Sequence, residues 1–170
     1  MSRTEPLVRL PVGVVAERRK AKSAWADYLW RSVGALPGAA DAAEGTALEG
    51  DTDCMTYYVG GAEIELHRSD AAGYRDNLNT GTPLLWVVLR ATGGEPPYRV
   101  AAVTAEPGEG EAFTESGADL VDAVPMPEPV CAVITQFVAQ HYVERRFVKR
   151  QRDRSDVEAM ARRLPVKDRK

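Results

Sequence analysis

The sequence predicts an α+β fold: a mostly antiparallel sheet packed by one long amphipathic helix and two short helices, followed by a basic C-terminal tail with a short helix. Short apolar segments bounded by turn residues fill most of the first 125 positions, which is typical of strands. Helical spacing becomes clear only near residue 130, and no internal repeat is visible. We therefore divide the chain of 170 residues into a flexible N-terminus (1–8), a single α+β domain (9–144) and a tail (145–170).

The first two predicted strands form a hairpin. Arg9 to Lys20 alternates, with Val12, Val14 and Ala16 on one face. A second strand spans about Asp27 to Ala35 and is reached through a loop longer than the tight two-residue type. The small and polar stretch from Ala39 to Gly45 then predicts an exposed loop.

A second hairpin is predicted around Gly60 and Gly61, because two adjacent glycines can both take positive φ in a tight turn. Its strands span Asp53–Val59 and Ala62–Arg68. In the later strand the alternation places Ile64 and Leu66 toward the core, and it places three polar side chains toward solvent: Glu63, Glu65 and His67.

The middle of the chain predicts a strand–helix–strand passage. A short helix over Ala71–Leu78 precedes the continuous apolar run Leu84–Arg90, which is typical of a central, doubly buried strand. Arg99–Ala105 follows as its antiparallel neighbour. A helix from Pro107 to Gly117 and a brief edge strand over Leu120–Val124 complete this part.

The last two helices differ in character. Val130–Glu144 carries apolar residues at helical spacing, and we expect it to pack across one face of the sheet. In the tail, Ser155 and Glu158 form a capping-box pattern before an apolar stripe that ends at Leu164, which predicts the short helix.

Composition narrows the class of protein. Hydrophobic residues make up 44% and charged residues 28%, as in an ordinary globular protein. No run of 18 apolar residues exists and the N-terminus lacks the apolar stretch of a signal peptide, so we expect a cytoplasmic protein without membrane contact. Cys54 and Cys131 have no Cys or His at ligand spacing, so we expect reduced, partly buried thiols and no metal site.

Charge is divided unevenly along the chain. From Glu144 to Lys170, Lys and Arg outnumber Asp and Glu by 11 to 5, whereas residues 1–143 hold 11 basic and 20 acidic residues. The tail could bind nucleic acid through its cations and its one aromatic ring, but the acidic body and a sequence pI of about 5.5 disfavour attraction to a polyanion. A protein partner is the simpler interpretation of the tail residues Arg145, Arg146, Phe147, Lys149 and Arg150.

The first hairpin provides the other candidate contact surface. Trp and Arg are common anchors of protein interfaces, and four of them cluster here: Arg18, Arg19, Trp25 and Trp30. The alternative is that both tryptophans are large core residues. No dinucleotide fingerprint, phosphate loop or nucleophile elbow competes with this hairpin, so we expect no catalytic residue and no cofactor.

A small-ligand protein or enzyme, acting on a pterin or a nucleotide, is the second hypothesis. Its nearest set of polar groups is Glu65, His67, Tyr74 and Arg75. Glu65 and His67 share one face of a strand, although a solvent-facing polar edge explains the same pattern.

Four segments carry a family resemblance: GVVAERRKAKSAWADYLWRSVGALPG, IELHRSDAAGYRDNLNTGTPLLWVVLR, YRVAAVTAEPGEGEAFTESGADLVDAVPMPEPV and VERRFVKRQRDR. From about Leu10 to about Asp156 the chain resembles an uncharacterised bacterial family, a domain of unknown function. The genes of that family commonly lie beside those of molybdenum-dependent formate dehydrogenases. The resemblance implies a non-enzymatic assembly or regulatory protein that binds a formate dehydrogenase subunit or its maturation machinery. Some relatives are labelled for molybdopterin guanine dinucleotide synthesis, but the glycine-rich loop that this activity implies is missing here.

Overall fold

The computed structural model describes residues 5–144, which form an α+β fold, as predicted. The predicted basic tail, including its short helix, lies outside the described residues. Within residues 5–144, no helix is both long and apolar enough to cross a bilayer. In chain order the elements are β1 (Val8–Lys20), β2 (Tyr28–Pro37), β3 (Thr46–Gly50), β4 (Cys54–Leu66), α1 (Ala71–Leu78), β5 (Leu84–Ala91), β6 (Tyr98–Thr104), α2 (Pro107–Ser116), β7 (Leu120–Pro125) and α3 (Glu128–His141).

The strands form two antiparallel sheets, not the one sheet that the sequence predicts. The first has the order β2-β1-β4-β3 and the second has the order β6-β5-β7. The chain leaves the first sheet after β4, passes through α1 and starts the second sheet at β5. The sheets meet along β2 and β7 and along β4 and β6, and the Ser32 N–H donates to Asp122 Oδ2 across this contact at 2.7 Å. Both sheets bury their apolar faces in one shared core.

The hairpin predicted at Gly60 and Gly61 is wrong, because β4 is one continuous strand of 13 residues. It pairs with β1 from end to end. Val14 pairs with Gly60 while Val15 pairs with Tyr58, so Val59 is an extra residue and the strand bulges there. The positive φ of Gly60, 122°, serves this bulge and not a tight turn. The sequence also gives no warning of β3, which begins directly after the predicted loop.

The second sheet matches its predicted elements closely. β5 is the central strand, with β6 and β7 as antiparallel neighbours on its two sides. α1 has the predicted bounds, and α2 ends at Gly117 in the left-handed conformation with φ 64°. The sequence was sufficient to predict these strands and helices because each one is bounded by its own turn residues.

Helix α3 does not dominate the fold. Its 14 residues compare with 10 in α2 and 8 in α1. Val130, Ile134 and Phe137 are its buried residues and belong to the main core, as the helical spacing predicts. However, α3 lies mainly against α1, whereas α2 covers the second sheet. The three helices therefore share the packing, and the longest of them is not obviously dominant.

Candidate functional site

The tip of the β1–β2 hairpin carries an exposed tryptophan. Loop 21–27 is closed by a hydrogen bond from the Ala21 N–H to the Asp27 carbonyl at 2.9 Å, and the Trp25 N–H donates to Ser23 Oγ at 3.1 Å. The side chain of Trp25 is 96% exposed, so it is not a core residue. Tryptophan is usually well buried, because its ring gains more from burial than that of most residues. An ordered loop thus presents an indole to solvent.

Trp30 is closer to the other alternative, in which the tryptophan is a core residue. It is half-buried and packs against the edge of the core. Its ring centroid lies 5.3 Å from that of Tyr57 and 5.8 Å from that of Tyr98. Trp30 therefore joins strands of both sheets and supports the hairpin from inside.

Arg18 lies between aromatic rings beside Trp30. The two residues pair directly across β1 and β2, so their side chains share one face. The guanidinium carbon of Arg18 lies 4.4 Å from the ring centroid of Tyr28 and 5.2 Å from that of Tyr57. These are cation–π distances, and they hold the charged group in one place. We call Arg18, Trp25, Tyr28 and Trp30 the hairpin-end surface.

Arg19 lies on the other face of the same hairpin. Its Nε is 3.1 Å from Glu17 Oε1, and the Nε of Arg31 is 3.2 Å from the same oxygen. The hydrogen bond from Arg19, with smaller contributions from Cys54 and Arg31, lowers the pKa of the Glu17 carboxyl, although burial opposes this. The structure therefore separates Arg19 from Arg18 and Trp30 of the predicted patch. Arg19 belongs to an ion-pair network on the opposite face of the hairpin.

The remaining predicted contact residues fall in the tail. They are Arg145, Arg146, Phe147, Lys149 and Arg150, and all of them lie outside residues 5–144. Their role in binding stays a prediction.

The two histidines line one cleft of about 1030 Å³, together with Leu7, Arg68 and Tyr142. His67 was predicted to face solvent, but it is only 4% exposed. His67 still has extended backbone and lies on the same face as Glu65, but segments that are distant in the sequence surround it there, with Leu7, His141 and Tyr142 lining the same cleft. Its Nε2 has no hydrogen-bond partner among the described residues, and the nearby Glu65 Oε2 is 3.7 Å away.

The polar set of the small-ligand hypothesis is only partly assembled. The Tyr74 hydroxyl donates to the Glu65 carbonyl at 3.4 Å and accepts from the His67 N–H at 3.2 Å, so three of the four residues are adjacent. Arg75 instead donates to the Tyr142 hydroxyl, and its guanidinium carbon lies 4.6 Å from that ring centroid. These residues therefore form hydrogen bonds in and beside the wall of the cleft, and the four side chains do not meet as one group of reacting residues.

The thiols and carboxylates of the described region do not gather into a metal centre. Cys54 and Cys131 are unpaired and half-buried, as the sequence predicts. Across residues 5–144, no three His, Cys, Asp or Glu side chains are placed so that they could hold a metal ion.

A family model described as a protein of unknown function (DUF3305) matches residues 11–151. The chain belongs to this family. No curated protein and no solved structure matches it. The DUF3305 match spans the hairpin-end surface, both histidines of the cleft and the predicted tail residues up to Arg150.

Three tyrosines complete the hairpin end of this DUF3305 chain and were missed in the sequence. Tyr28 and Tyr57 contact Arg18, and Tyr98 contacts Trp30. Tyr28 could have been noticed from its place beside the predicted patch. Tyr57 and Tyr98 could not, because they arrive from β4 and β6, whose positions relative to β2 depend on the pairing of distant segments.

Proposed function

We propose that this chain is a non-enzymatic accessory protein that binds a protein partner through its hairpin-end surface. The observation that carries the proposal is Trp25, a 96% exposed indole on a hydrogen-bonded loop. A tryptophan is seldom left so exposed, and exposed apolar surface in a folded domain often marks a contact site when several such side chains adjoin, as Trp25 and Tyr28 do along the chain. Trp, Tyr and Arg are also the residues that most often dominate the binding energy of protein interfaces.

The packing of Trp30 and Arg18 within the hairpin-end surface favours binding without rearrangement of their side chains. Trp30 is packed against two rings and Arg18 is stacked on two others, so neither side chain must be ordered when a partner arrives. Ordering a mobile side chain on binding costs about 0.5–1.5 kcal/mol, and a preorganised surface avoids most of that cost.

The partner that we put forward is a formate dehydrogenase subunit or a component of its maturation machinery. The support is the family resemblance, which implies such an accessory role. No reaction is assigned to the chain, since the described residues offer a contact surface more clearly than a reacting centre.

Trp25→Ala tests the docking surface. We expect it to weaken binding to purified formate dehydrogenase subunits by about tenfold or more, because a central tryptophan commonly contributes about 2 kcal/mol. The measurement is capture of each subunit on immobilised protein over a concentration series. Thermal stability should not change, because Trp25 packs so little of its surface against the fold.

Leu36→Ala is the matched control. Leu36 is another exposed apolar residue of this hairpin, but it lies near the far end of β2. We expect binding within about twofold of the parent protein, since surface positions outside the contact contribute little. Trp30→Ala is a poorer test, because Trp30 also supports the fold. Equal capture by the parent and by Trp25→Ala would disprove the docking surface.

A small-ligand function is the second candidate, and the unpartnered Nε2 of His67 at the cleft favours it. If a pterin or a nucleotide binds there, the midpoint of thermal unfolding should rise with ligand concentration, because a ligand of the folded state stabilises it. His67→Ala should remove that rise, whereas Trp25→Ala should keep it. No rise at millimolar ligand would eliminate this candidate. Nucleic-acid binding through the tail stays a prediction.

A further inference from the structure

We infer that Arg18 is the receptor for a carboxylate, so that the hairpin-end surface binds an acidic protein segment in which an Asp or Glu is adjacent to an apolar side chain. The inference rests on the proposed function and names the chemistry of the partner. It follows from three observations on Arg18: its missing counter-ion, its fixed position and its apolar surroundings.

The charge of Arg18 has no counter-ion within the described part of the chain. The neighbouring carboxylate, Glu17, points to the other face, where it is bound by Arg19 and Arg31. Two other strand arginines do have acidic partners, since Arg9 lies 3.3 Å from Glu65 and Arg90 makes a two-point contact with Asp119. Arg99 on β6 has none among the described residues, but no aromatic ring holds it. A half-buried guanidinium without an anion is costly, and a carboxylate from another molecule would remove that cost.

The guanidinium is also presented in a geometry that suits a carboxylate. Tyr28 and Tyr57 hold it within cation–π distance. Nε is buried without a hydrogen-bond partner among residues 5–144, so a carboxylate from another molecule would meet the two terminal Nη groups of the guanidinium. Their N–H groups can donate to both oxygens of a carboxylate.

The surroundings select an acidic and partly apolar segment. The Tyr28 ring lies against the guanidinium and is 42% exposed, so apolar surface adjoins the charge, and the loop that joins the two strands carries the almost fully exposed Trp25. A segment with one carboxylate and a neighbouring apolar side chain complements both features.

A phosphodiester backbone could use the same guanidinium, and bases could stack on the same rings. The charge of the body argues against this. Residues 1–143 hold 20 acidic against 11 basic residues, and this excess repels a polyanion while affecting a single carboxylate much less. We therefore assign the surface to a protein segment.

The test uses a small probe that carries both groups. N-acetylphenylalaninate is titrated into isotope-labelled full-length protein while the NMR signals of the arginine Nε–H and tryptophan indole N–H groups are followed. We expect saturable shifts of the Arg18 and Trp30 signals. The neutral analogue, N-acetylphenylalaninamide, should bind about tenfold more weakly or worse, since it lacks the charge-assisted hydrogen bonds.

Two variants test whether the NMR shifts arise from binding of the probe at Arg18. Arg18→Gln should abolish the shifts at Trp30, with the rest of the spectrum showing that the protein is folded. Arg19→Gln, a change at the adjacent position on the opposite face, should keep the affinity for the probe. Equal binding of acid and amide, or an unchanged affinity in Arg18→Gln, would overturn the inference.

In a further titration, a single-stranded oligonucleotide replaces the carboxylate probe. If it moves the same signals at physiological salt more strongly than the carboxylate does, the surface is a nucleic-acid site and the inference fails. The result does not depend on the identity of the partner. If Trp25→Ala loses subunit binding but the parent protein does not respond to the probe, the docking surface stands and the carboxylate receptor at Arg18 is rejected. If the parent protein responds to the probe but Trp25→Ala keeps its subunit binding, the receptor at Arg18 stands and the proposed partner is rejected.

Discussion

Replacing Asn77 with alanine should lower the free energy of unfolding by about 3 kcal/mol, since one buried and two part-buried hydrogen bonds are lost and their backbone partners are left without them. Asn77 is only 3% exposed. Its amide nitrogen donates to the carbonyls of Leu84 at 2.8 Å and Ala105 at 2.9 Å, and its oxygen accepts from the Leu84 N–H at 3.0 Å. One side chain thus joins α1 to the start of β5 and the chain just beyond β6.

The control for this prediction is Asn79→Ala. Asn79 lies two residues further along, is exposed, and makes no side-chain hydrogen bond to another described residue. We expect its substitution to change stability by no more than about 0.5 kcal/mol. Urea unfolding followed by far-ultraviolet circular dichroism measures both variants. Equal stability of the two would show that Asn77 does not hold the helix and strands together.

Replacing Gly60 with alanine should destabilise the protein by about 1–3 kcal/mol, the range for a residue forced into a sparsely populated backbone region. Gly60 has φ 122° at the bulge of β4, a conformation that L-residues rarely adopt. An added Cβ would also lie 2.9 Å from a side-chain oxygen of Glu44, although that side chain is exposed and can shift. Most of the expected loss therefore comes from the backbone.

Gly34→Ala is the matched control, because Gly34 also lies in a strand of the same sheet. It has no positive φ, and a Cβ at this position would meet nothing within 4 Å. Its substitution should be neutral or slightly stabilising, since alanine restricts the unfolded chain more than glycine does. If Gly60→Ala were as stable as Gly34→Ala, the bulge would not require glycine.

Elements with local boundaries could be predicted from the sequence. The apolar run of β5, the proline start and glycine end of α2, and the spacing of Val130, Ile134 and Phe137 in α3 each contain their own signal. These patterns reflect burial and capping within one segment, so they do not depend on which segments become neighbours.

Features that depend on distant partners could not be predicted in the same way. Gly60 and Gly61 satisfy the local requirements of a turn, yet 13 residues of β4 follow β1 because pairing along its whole length satisfies more backbone groups than a hairpin would. The division into two sheets depends on where α1 redirects the chain. His67 is buried for a related reason, since the residues around it come from the start of the chain and from the end of α3.

The candidate site shows the same limit at the level of side chains. The sequence singled out Arg18, Trp25 and Trp30, and the structure places all three at one end of the hairpin. The alternation of side chains along the predicted strand was enough to separate Arg19 from Arg18, because adjacent strand residues point to opposite faces, but it was not applied to this pair. The sequence could not supply Tyr57, which reaches Arg18 only through the pairing of β1 with β4.

The most direct test of the docking surface is hydrogen–deuterium exchange of this chain with and without a bound formate dehydrogenase subunit. We expect slower exchange in loop 21–27 and the adjoining ends of β1 and β2 when the subunit is bound. The amides around His67 and Tyr142, at the cleft, should keep their rates. Unchanged exchange across the hairpin end, with protection at the cleft instead, would show that the subunit does not bind the hairpin-end surface.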